Sequence, residues 1–412
     1  MDNITGFLIR YARLQQNISQ EGLCKGICVV SYLSKIEQGK VNASEEVIAP
    51  LFERLGLTYL SDQAFVENYK KTIKRFFHNY FLQEDYEAEL QDIRSVADVL
   101  MGSQLVIDLH LVELYAKDCE HYTEEHVALF EKLEKFESYM NDDQLFLYYL
   151  SVDLKGNTKE AINALKKAGN IKNCSVQKLW LGQAYYFMGD NAEANVYFQQ
   201  AYQLASEEGN AVCMLDSALF LGNSYSNTHD DALMRKHYKQ CEMLAHSLKR
   251  EDILPALHYN IGSSLLQWGR IEEAEEYLLL SVQNEADSSS LPMFLNYQKL
   301  AILYKDLENK KEMIKYLELA DEEAKICKDR LLVKMHEFVH LYCADERVYD
   351  DAYLNLLIQL TKPSYKDEFG VVTIGYGYRI FHATYLFDAY QKMRRYKEAL
   401  QVKESLGLYK FS

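Results

Sequence analysis

The chain has 412 residues, 48% of them hydrophobic, so it can bury a large core and is expected to hold more than one module. Its formal net charge is −16, from 45 lysines and arginines against 61 aspartates and glutamates, which argues against binding nucleic acid over the whole surface. No run approaches the length of a membrane span, and the start, MDNITGFLIR, lacks a secretory pattern. We therefore expect a cytoplasmic protein without membrane association.

The charge is unevenly distributed along the chain. Residues 1–60 carry six basic and six acidic side chains, so the whole negative balance falls after residue 60. A neutral head on an acidic body would contact DNA only through the head, because phosphates repel the body. We expect a small DNA footprint and an affinity that depends on two heads acting together.

The head shows a helix-turn-helix pattern. Apolar spacing and capping residues predict four helices, over residues 4–16, 20–26 and 29–38 and from Ser44 to Gly56. Ser19 is the expected N-cap of the second helix, and Gly39 is the expected left-handed residue after the third. The third helix has the position of a recognition helix, which enters the major groove of DNA.

Polar and basic residues of this head form the predicted DNA-binding surface. Its members are Arg10, Arg13, Gln20, Ser31, Tyr32, Lys35 and Lys40. Those on the recognition helix, Ser31, Tyr32 and Lys35, would approach base edges, with Lys35 the candidate for a guanine. The others would position the head on phosphates. For Arg10 and Arg13 the alternative is that they are ordinary surface arginines.

The amino-acid sequence of this segment resembles that of a known family. SQEGLCKGICVVSYLSKIEQGK looks like the phage-repressor (Xre) type of helix-turn-helix, and GIC…SYLSKIE resembles the N-terminal domain of the RRNPP family of peptide-pheromone receptors. The resemblance implies a quorum-sensing transcription regulator that works as a homodimer on a palindromic operator. It also implies that a short signalling peptide controls DNA binding.

After residue 63 every informative segment is predicted to be helical, without β-type alternation. Gly182–Tyr185–Gly189–Ala194–Phe198–Ala201 reproduces the tetratricopeptide spacing, and copies begin at Gly222, Gly262 and Ala301. Small residues let the two helices of a repeat approach closely, and large residues fill the layer between them. The sequence predicts an all-α fold: a helix-turn-helix domain in residues 1–60, then a right-handed α-solenoid of tetratricopeptide-like repeats in residues 63–412.

The first helix of each repeat lines the concave side of such a solenoid. In this register the predicted peptide-binding residues are Tyr186, Asp216, Asn223, Asn227, Tyr259, Asn260, Ser263, Gln267 and Lys305. Carboxamides both donate to and accept from a peptide backbone, and tyrosines form pockets for side chains. In the RRNPP family groove asparagines hold the peptide, and the matching positions are Asn223, Asn227 and Asn260. Their alternative role is hydrogen bonding between repeats or with solvent.

Two other functions remain open at this point. His336–Glu337–Phe338–Val339–His340 fits the HExxH pattern of zinc peptidases, but no third ligand identifies itself, and a repeat helix explains the segment more simply. A regulator that binds response-regulator proteins through its repeats is the other alternative. We expect no enzyme, no cofactor and no resident metal.

Overall fold

The computed structural model describes residues 4–60, 62–117, 124–152, 158–283, 293–344, 349–368 and 370–406. Within these ranges the helices are α1 (Ile4–Gln15), α2 (Gln20–Cys24), α3 (Val30–Glu37), α4 (Glu45–Arg54), α5 (Gln63–Phe81), α6 (Glu87–Ser95), α7 (Ala97–Met101), α8 (Val106–Tyr115), α9 (Glu124–Phe136), α10 (Asp142–Ser151), α11 (Thr158–Ile171), α12 (Ser175–Met188), α13 (Asn191–Glu208), α14 (Ala211–Asn227), α15 (Asp231–Leu248), α16 (Leu254–Gln267), α17 (Ile271–Gln283), α18 (Met293–Asp306), α19 (Lys310–Ile326), α20 (Arg330–Cys343), α21 (Asp351–Leu360), α22 (Tyr376–Lys392) and α23 (Tyr396–Ser405). The strands are β1 (Ser364–Asp367) and β2 (Gly370–Thr373). The all-α prediction is confirmed.

The chain forms two compact units, residues 1–177 and residues 178–412. The predicted domain boundary between residues 60 and 63 lies inside the first unit and stays a prediction. No helix in the described part of the chain has the length and apolar character that crossing a bilayer requires.

In the first unit, α1 to α4 form the helix-turn-helix head. Leu23 and Leu33 are fully buried between these helices. The backbones of α1 and α3 approach so closely at Gly6 that no larger residue would fit there. A Cβ on Gly6 would lie 2.0 Å from the carbonyl oxygen of Ile36. Ser19 caps α2 by accepting from the Gly22 amide at 3.0 Å, as predicted. The second helix is shorter than predicted, ending at Cys24.

The head also packs against later helices of the same unit. The Phe7 ring on α1 lies 4.8 Å from Phe136 at the end of α9 and 4.3 Å from Tyr139, centroid to centroid. Tyr11, one turn further along α1, contacts the same Phe136 ring at 5.7 Å. Aromatic contacts of this kind fix the orientation of α1 within the first unit.

In the second unit the helices pair successively as tetratricopeptide-like repeats, beginning with α12 and α13. A Cβ on Gly182 would come within 2.6 Å of the Phe198 ring, and the same closeness recurs between Gly262 and Leu278 at 2.7 Å. The residues concerned are those whose spacing predicted close helix approach. The steric reading of the repeats is therefore confirmed.

Gly222 tests this steric reading. A Cβ there would lie 2.4 Å from the Tyr238 ring, so we expect Gly222→Ala to lower the free energy of unfolding by about 1–3 kcal/mol through overpacking. Urea unfolding of the full chain measures the change. Gly375→Ala is the matched control, because its Cβ would meet nothing nearer than 3.7 Å. A Gly222→Ala protein as stable as the wild type would contradict the close-packing argument.

The strands correct one expectation, that everything after residue 63 is helical. β1 and β2 pair as an antiparallel hairpin in which Ser364 faces Thr373 and Asp367 faces Gly370. Pro363 precedes the hairpin and cannot continue α21, since proline lacks the amide that a helix needs. Four-residue strands are too short to show a clear alternation in sequence. The hairpin returns the chain to Gly375, where α22 begins.

Candidate functional site

The outer face of α3 exposes polar side chains that have no partner within the described structure. Its inner face is fixed by Leu33 and Ile36, which are 0% and 2% exposed. Ser31 and Lys35 are exposed on the opposite face, and neither makes a side-chain hydrogen bond or ion pair with any described residue. Tyr32 between them is half-buried. The structure thus places the predicted base-reading residues together on one accessible helix face.

Two phosphate-contact candidates remain available beside this face. Arg10 on α1 and Lys40 after α3 are exposed and carry no described ion pair. Their guanidinium and ammonium groups are therefore free for an external anion, which is the condition for a positioning contact to a DNA backbone.

Sequence reasoning missed two apolar members of the surface. Val29 and Val30, at the N-terminal end of α3, are 67% and 42% exposed. Exposed valines at the tip of a recognition helix suit the methyl group of thymine, which is the apolar feature of the major groove. The signal was present in the sequence, because two adjacent valines at this position cannot both face the core.

Arg13 corrects the predicted surface. It is 8% exposed, and its Nε and Nη2 donate to the two carboxylate oxygens of Glu37 at 2.6 and 3.0 Å. Its Nη1 donates to the carbonyl of Ile18 at 2.9 Å. With all three nitrogens hydrogen-bonded inside the head and its side chain only 10% exposed, Arg13 is not presented to a phosphate.

Gln20 belongs to the same internal network. Its Nε2 donates to Glu37 at 2.7 Å, so the carboxylate at the end of α3 is held from both α1 and α2. The side chain of Glu37 is only 3% exposed. Arg13 and Gln20 therefore orient the recognition helix, where the sequence had suggested direct contacts to DNA.

In the second unit, amide side chains form a ladder of hydrogen bonds between neighbouring repeats. Asn260 on α16 donates to Asn223 on α14 at 3.1 Å, and Asn223 also accepts from Tyr238 at 2.7 Å. Asn227 donates to Asn191 at 3.3 Å. Each of the three predicted asparagines thus bonds between repeats, as the alternative interpretation described.

One hydrogen-bond donor and one acceptor of this ladder are unused within the described structure. Among the described contacts, Asn223 makes no use of its Nδ2 donor and Asn260 makes no use of its Oδ1 acceptor. Both residues are half-buried, as are the nearby Ser263 and Gln267. One donor and one acceptor on adjacent helices match the pair of groups that one peptide unit presents.

Two other predicted peptide contacts are already occupied. Lys305 donates to the carbonyls of Cys343 and Ala344, at 3.3 and 2.7 Å, at the end of α20. Asp216 also has a partner within the chain. Both half-buried side chains are thus engaged within the chain in this structure.

The aromatic part of the predicted groove is covered by α22. The Tyr376 ring lies so close to α12 that a Cβ on Gly189 would be 2.5 Å from it, and Tyr186 approaches Gly377. Tyr259 is 5% exposed, which corrects the expectation that it faces a ligand. Burial raises the pKa of Tyr186 to about 12 and that of Tyr378 on α22 to about 12. α22, the first helix of the last repeat, fills space that the sequence analysis assigned to a peptide.

Lys299 on α18 is a candidate that the sequence analysis missed. It is 2% exposed, its ammonium lies against the face of the Phe381 ring on α22, and it makes no ion pair with any described residue. Burial lowers the pKa of Lys299 well below its usual value. Burial, and then the nearby Lys299, lower the pKa of His382 to about 3. The sequence held no signal for it, because its burial depends on packing against Phe381 of α22, far along the chain.

The HExxH segment does not assemble as a peptidase site. Glu337 is held by Lys334 at 2.8 Å on the helix surface, while His336 and His340 turn toward Asp321 on α19. The carboxylate that would activate water therefore lies away from the two imidazoles.

Family models match both predicted modules. The helix-turn-helix model matches residues 9–60, and the tetratricopeptide-repeat model matches residues 178–208, 255–287 and 296–326. The matched repeats include those that begin with the spacing around Gly182, Gly262 and Ala301. The predicted order of modules is confirmed.

Known proteins are similar to this chain over most of its length. The chain is 22% identical over 404 residues to the transcriptional activator NprA of Geobacillus stearothermophilus, covering 94% of this chain and 93% of NprA. A Rap protein complexed with competence and sporulation factor is 13% identical, with a TM-score of 0.67 over 83% of this chain and 99% of that one. The apo form of the quorum sensor NprR from B. thuringiensis is 14% identical, with a TM-score of 0.57 over 82% and 98%. At these identities the solved structures show a shared fold, and the set is consistent with the RRNPP family.

Proposed function

We propose that this chain is a peptide-responsive transcription regulator of the quorum-sensing type, a cytoplasmic homodimer that binds a palindromic operator and is not an enzyme. The observation that carries the proposal is the unpaired, exposed face of α3 on a firmly packed head. Nothing within the described structure uses Ser31 or Lys35, which leaves both available to an external partner. Likeness to the transcriptional activator NprA and the quorum sensor NprR supports this reading.

On DNA, α3 enters the major groove. Lys35 donates to the acceptors of a guanine edge, Ser31 contacts a neighbouring base, and Val30 contacts a thymine methyl group. Arg10 and Lys40 hold the flanking phosphates. With so few contacts on a head of zero net charge, specific binding requires two heads on two half-sites.

The peptide binds on the concave side of the second unit. Its backbone pairs with the unused Nδ2 of Asn223 and Oδ1 of Asn260, and a carboxylate of the peptide pairs with the ammonium of Lys299. Because α22 covers Lys299, the peptide binds fully only when α22 shifts. The peptide then favours one position of α22 by its differential affinity for the two arrangements, and this changes operator binding.

Fluorescence anisotropy with DNA from upstream of the gene tests the DNA part of the proposal. We expect salt-sensitive binding by the purified protein, and a loss of about tenfold or more in the Ser31→Ala/Lys35→Ala variant, because direct base contacts are removed. Lys239→Ala, which removes an exposed charge from the second unit, is the control and should bind as wild type does. Equal affinity of the double variant and the wild type would refute base reading by α3.

The same titrations, repeated with short peptides encoded near the gene, test the peptide part. A peptide that alters DNA affinity supports the receptor proposal. A peptide that binds without any effect on DNA favours the other candidate, regulation of a protein partner through the repeats. In that case a partner should still bind after deletion of residues 1–60.

A further inference from the structure

Three potential metal ligands converge between α19 and α20. The Nε2 atoms of His336 and His340 lie 2.8 and 2.6 Å from the same oxygen, Oδ1 of Asp321. The histidines are one helical turn apart on α20, and the aspartate comes from the neighbouring helix, so two elements supply the cluster. All three donor atoms lie within 4.8 Å of one another.

We propose that Asp321, His336 and His340 form a binding site for a divalent transition-metal ion, with Zn²⁺ as the first candidate. Two imidazole nitrogens and one carboxylate oxygen are a donor set that suits zinc and its neighbours in the first transition row, and that calcium and magnesium do not favour. Each histidine now hydrogen-bonds through Nε2 to the same carboxylate oxygen, so a bound ion would replace these two hydrogen bonds, with Nε2 of both rings in the unprotonated form. Three protein ligands leave a fourth position for water.

Access to the cluster comes from one side only. The side chains of Asp321 and His340 are 38% and 46% exposed, whereas that of His336 is 6% exposed and packs against the Phe294 ring at 5.1 Å. The buried histidine gives the site a fixed wall, and the two accessible ligands let an ion enter and leave. This arrangement fits an exchangeable ion better than a permanently enclosed one.

The surroundings of His336 set the expected strength of binding. Its second ring nitrogen, Nδ1, is buried and has no hydrogen-bond partner among the described residues. Metal-binding histidines normally donate from the second nitrogen, and losing that contact weakens binding by roughly 10–100-fold. We therefore expect reversible binding in the micromolar range, without a contribution to hydrolysis, since Glu337 faces away.

An ion here would tie α19 to α20 and so stiffen the support of α22. Phe338 lies between the two histidines on α20, and its ring contacts His382 and Tyr385 of α22, at 5.1 Å in each case. A metal clamp on one face of α20 therefore restrains the helix whose other face holds α22. Metal binding at this site does not require the proposed DNA or peptide functions.

The test is titration of the untagged, chelator-stripped full chain with Co²⁺ and Zn²⁺ under reducing conditions. We expect one equivalent of Co²⁺ to give visible d–d absorption without a thiolate charge-transfer band, and Zn²⁺ to displace it. Amide hydrogen exchange in α19 and α20 should slow when the ion is bound. Both readouts are measured without DNA or peptide, so their failure is distinguishable from failure of the proposed function.

His340→Ala and Asp321→Asn are the test variants, because both residues are partly exposed and their replacement should leave the fold intact. Each is expected to weaken binding at least about tenfold. His246→Ala, which removes an exposed histidine paired with Glu251, is the matched control and should bind as the wild type does. Absence of binding at high micromolar metal, or equal binding by all the variants, would show that the cluster is only a hydrogen-bonded His–Asp–His group and overturn the proposal.

Discussion

Lys299→Met is expected to make the protein more stable and, at the same time, unable to respond to peptide. In the wild type the buried amino group of Lys299 lies against Phe381 with no anion among the described residues. Replacing such a group by an apolar side chain of similar length removes a desolvation penalty, so the free energy of unfolding should rise by about 1–4 kcal/mol. The same replacement removes the group that we propose binds a peptide carboxylate. Lys299 would therefore lower the stability of the wild type while serving peptide binding.

The pH dependence of this effect has a definite sign. Burial lowers the pKa of Lys299 in the folded state, so below the unfolded value of about 10 the unfolded chain binds more protons at this site. Wild-type stability therefore gains from Lys299 as the pH rises, whereas the methionine variant lacks this gain. The advantage of the variant should be largest at neutral pH and shrink as the pH approaches 10. Urea unfolding at several pH values measures it.

Peptide binding by the same variant is compared using peptides with a free C-terminal carboxylate and their C-terminal amides. Lys305→Met, on the same helix, is the matched control: it removes a partly exposed ammonium bonded to carbonyls at the end of α20, so it should not stabilise the protein. If Lys299→Met were destabilising, or bound peptide as the wild type does, the role assigned to this lysine would be wrong. If the wild type bound the peptides with a free C-terminal carboxylate but not their C-terminal amides, the partner of Lys299 would be the C-terminal carboxylate.

The repeats could be predicted because their determinants are local and periodic. Gly182 and Phe198 meet across one helix pair, and a single spacing rule places both of them. The same holds for the polar face of α3, since burial of Leu33 leaves Ser31 and Lys35 outside. In both cases the helical period alone decides which side chains share a face.

What could not be predicted depends on partners far apart in the sequence. Arg13 and Glu37 are separated by 24 residues, and periodicity says on which face each lies but not that the two faces meet. Asp321 lies 15 residues before His336 on another helix, so the histidine motif showed only part of its cluster. The covering of Gly189 by Tyr376 requires α22 to pack across α12, far earlier in the chain, which no local pattern encodes.

Arg13→Met is expected to destabilise the head by about 3–5 kcal/mol and to abolish DNA binding as a consequence. The substitution leaves Glu37 buried with Gln20 as its remaining side-chain partner, and an uncompensated buried charge is strongly unfavourable. Because Glu37 ends α3, loosening it also frees the recognition helix to move. Hydrogen exchange in α1 to α4 and anisotropy with operator DNA measure the two effects.

The double variant Arg13→Met/Glu37→Leu distinguishes orientation from direct contact. Removing both charges leaves no unpaired ion, so stability should return close to that of the wild type, and DNA binding should recover to the extent that apolar packing keeps α3 in place. A phosphate contact by Arg13 predicts a different pattern: a stable single variant, uniformly weaker on all DNA sequences, whose salt dependence falls by about one charge and which the second substitution does not rescue. Since Nε, Nη1 and Nη2 of Arg13 all donate within the head, we expect the first pattern.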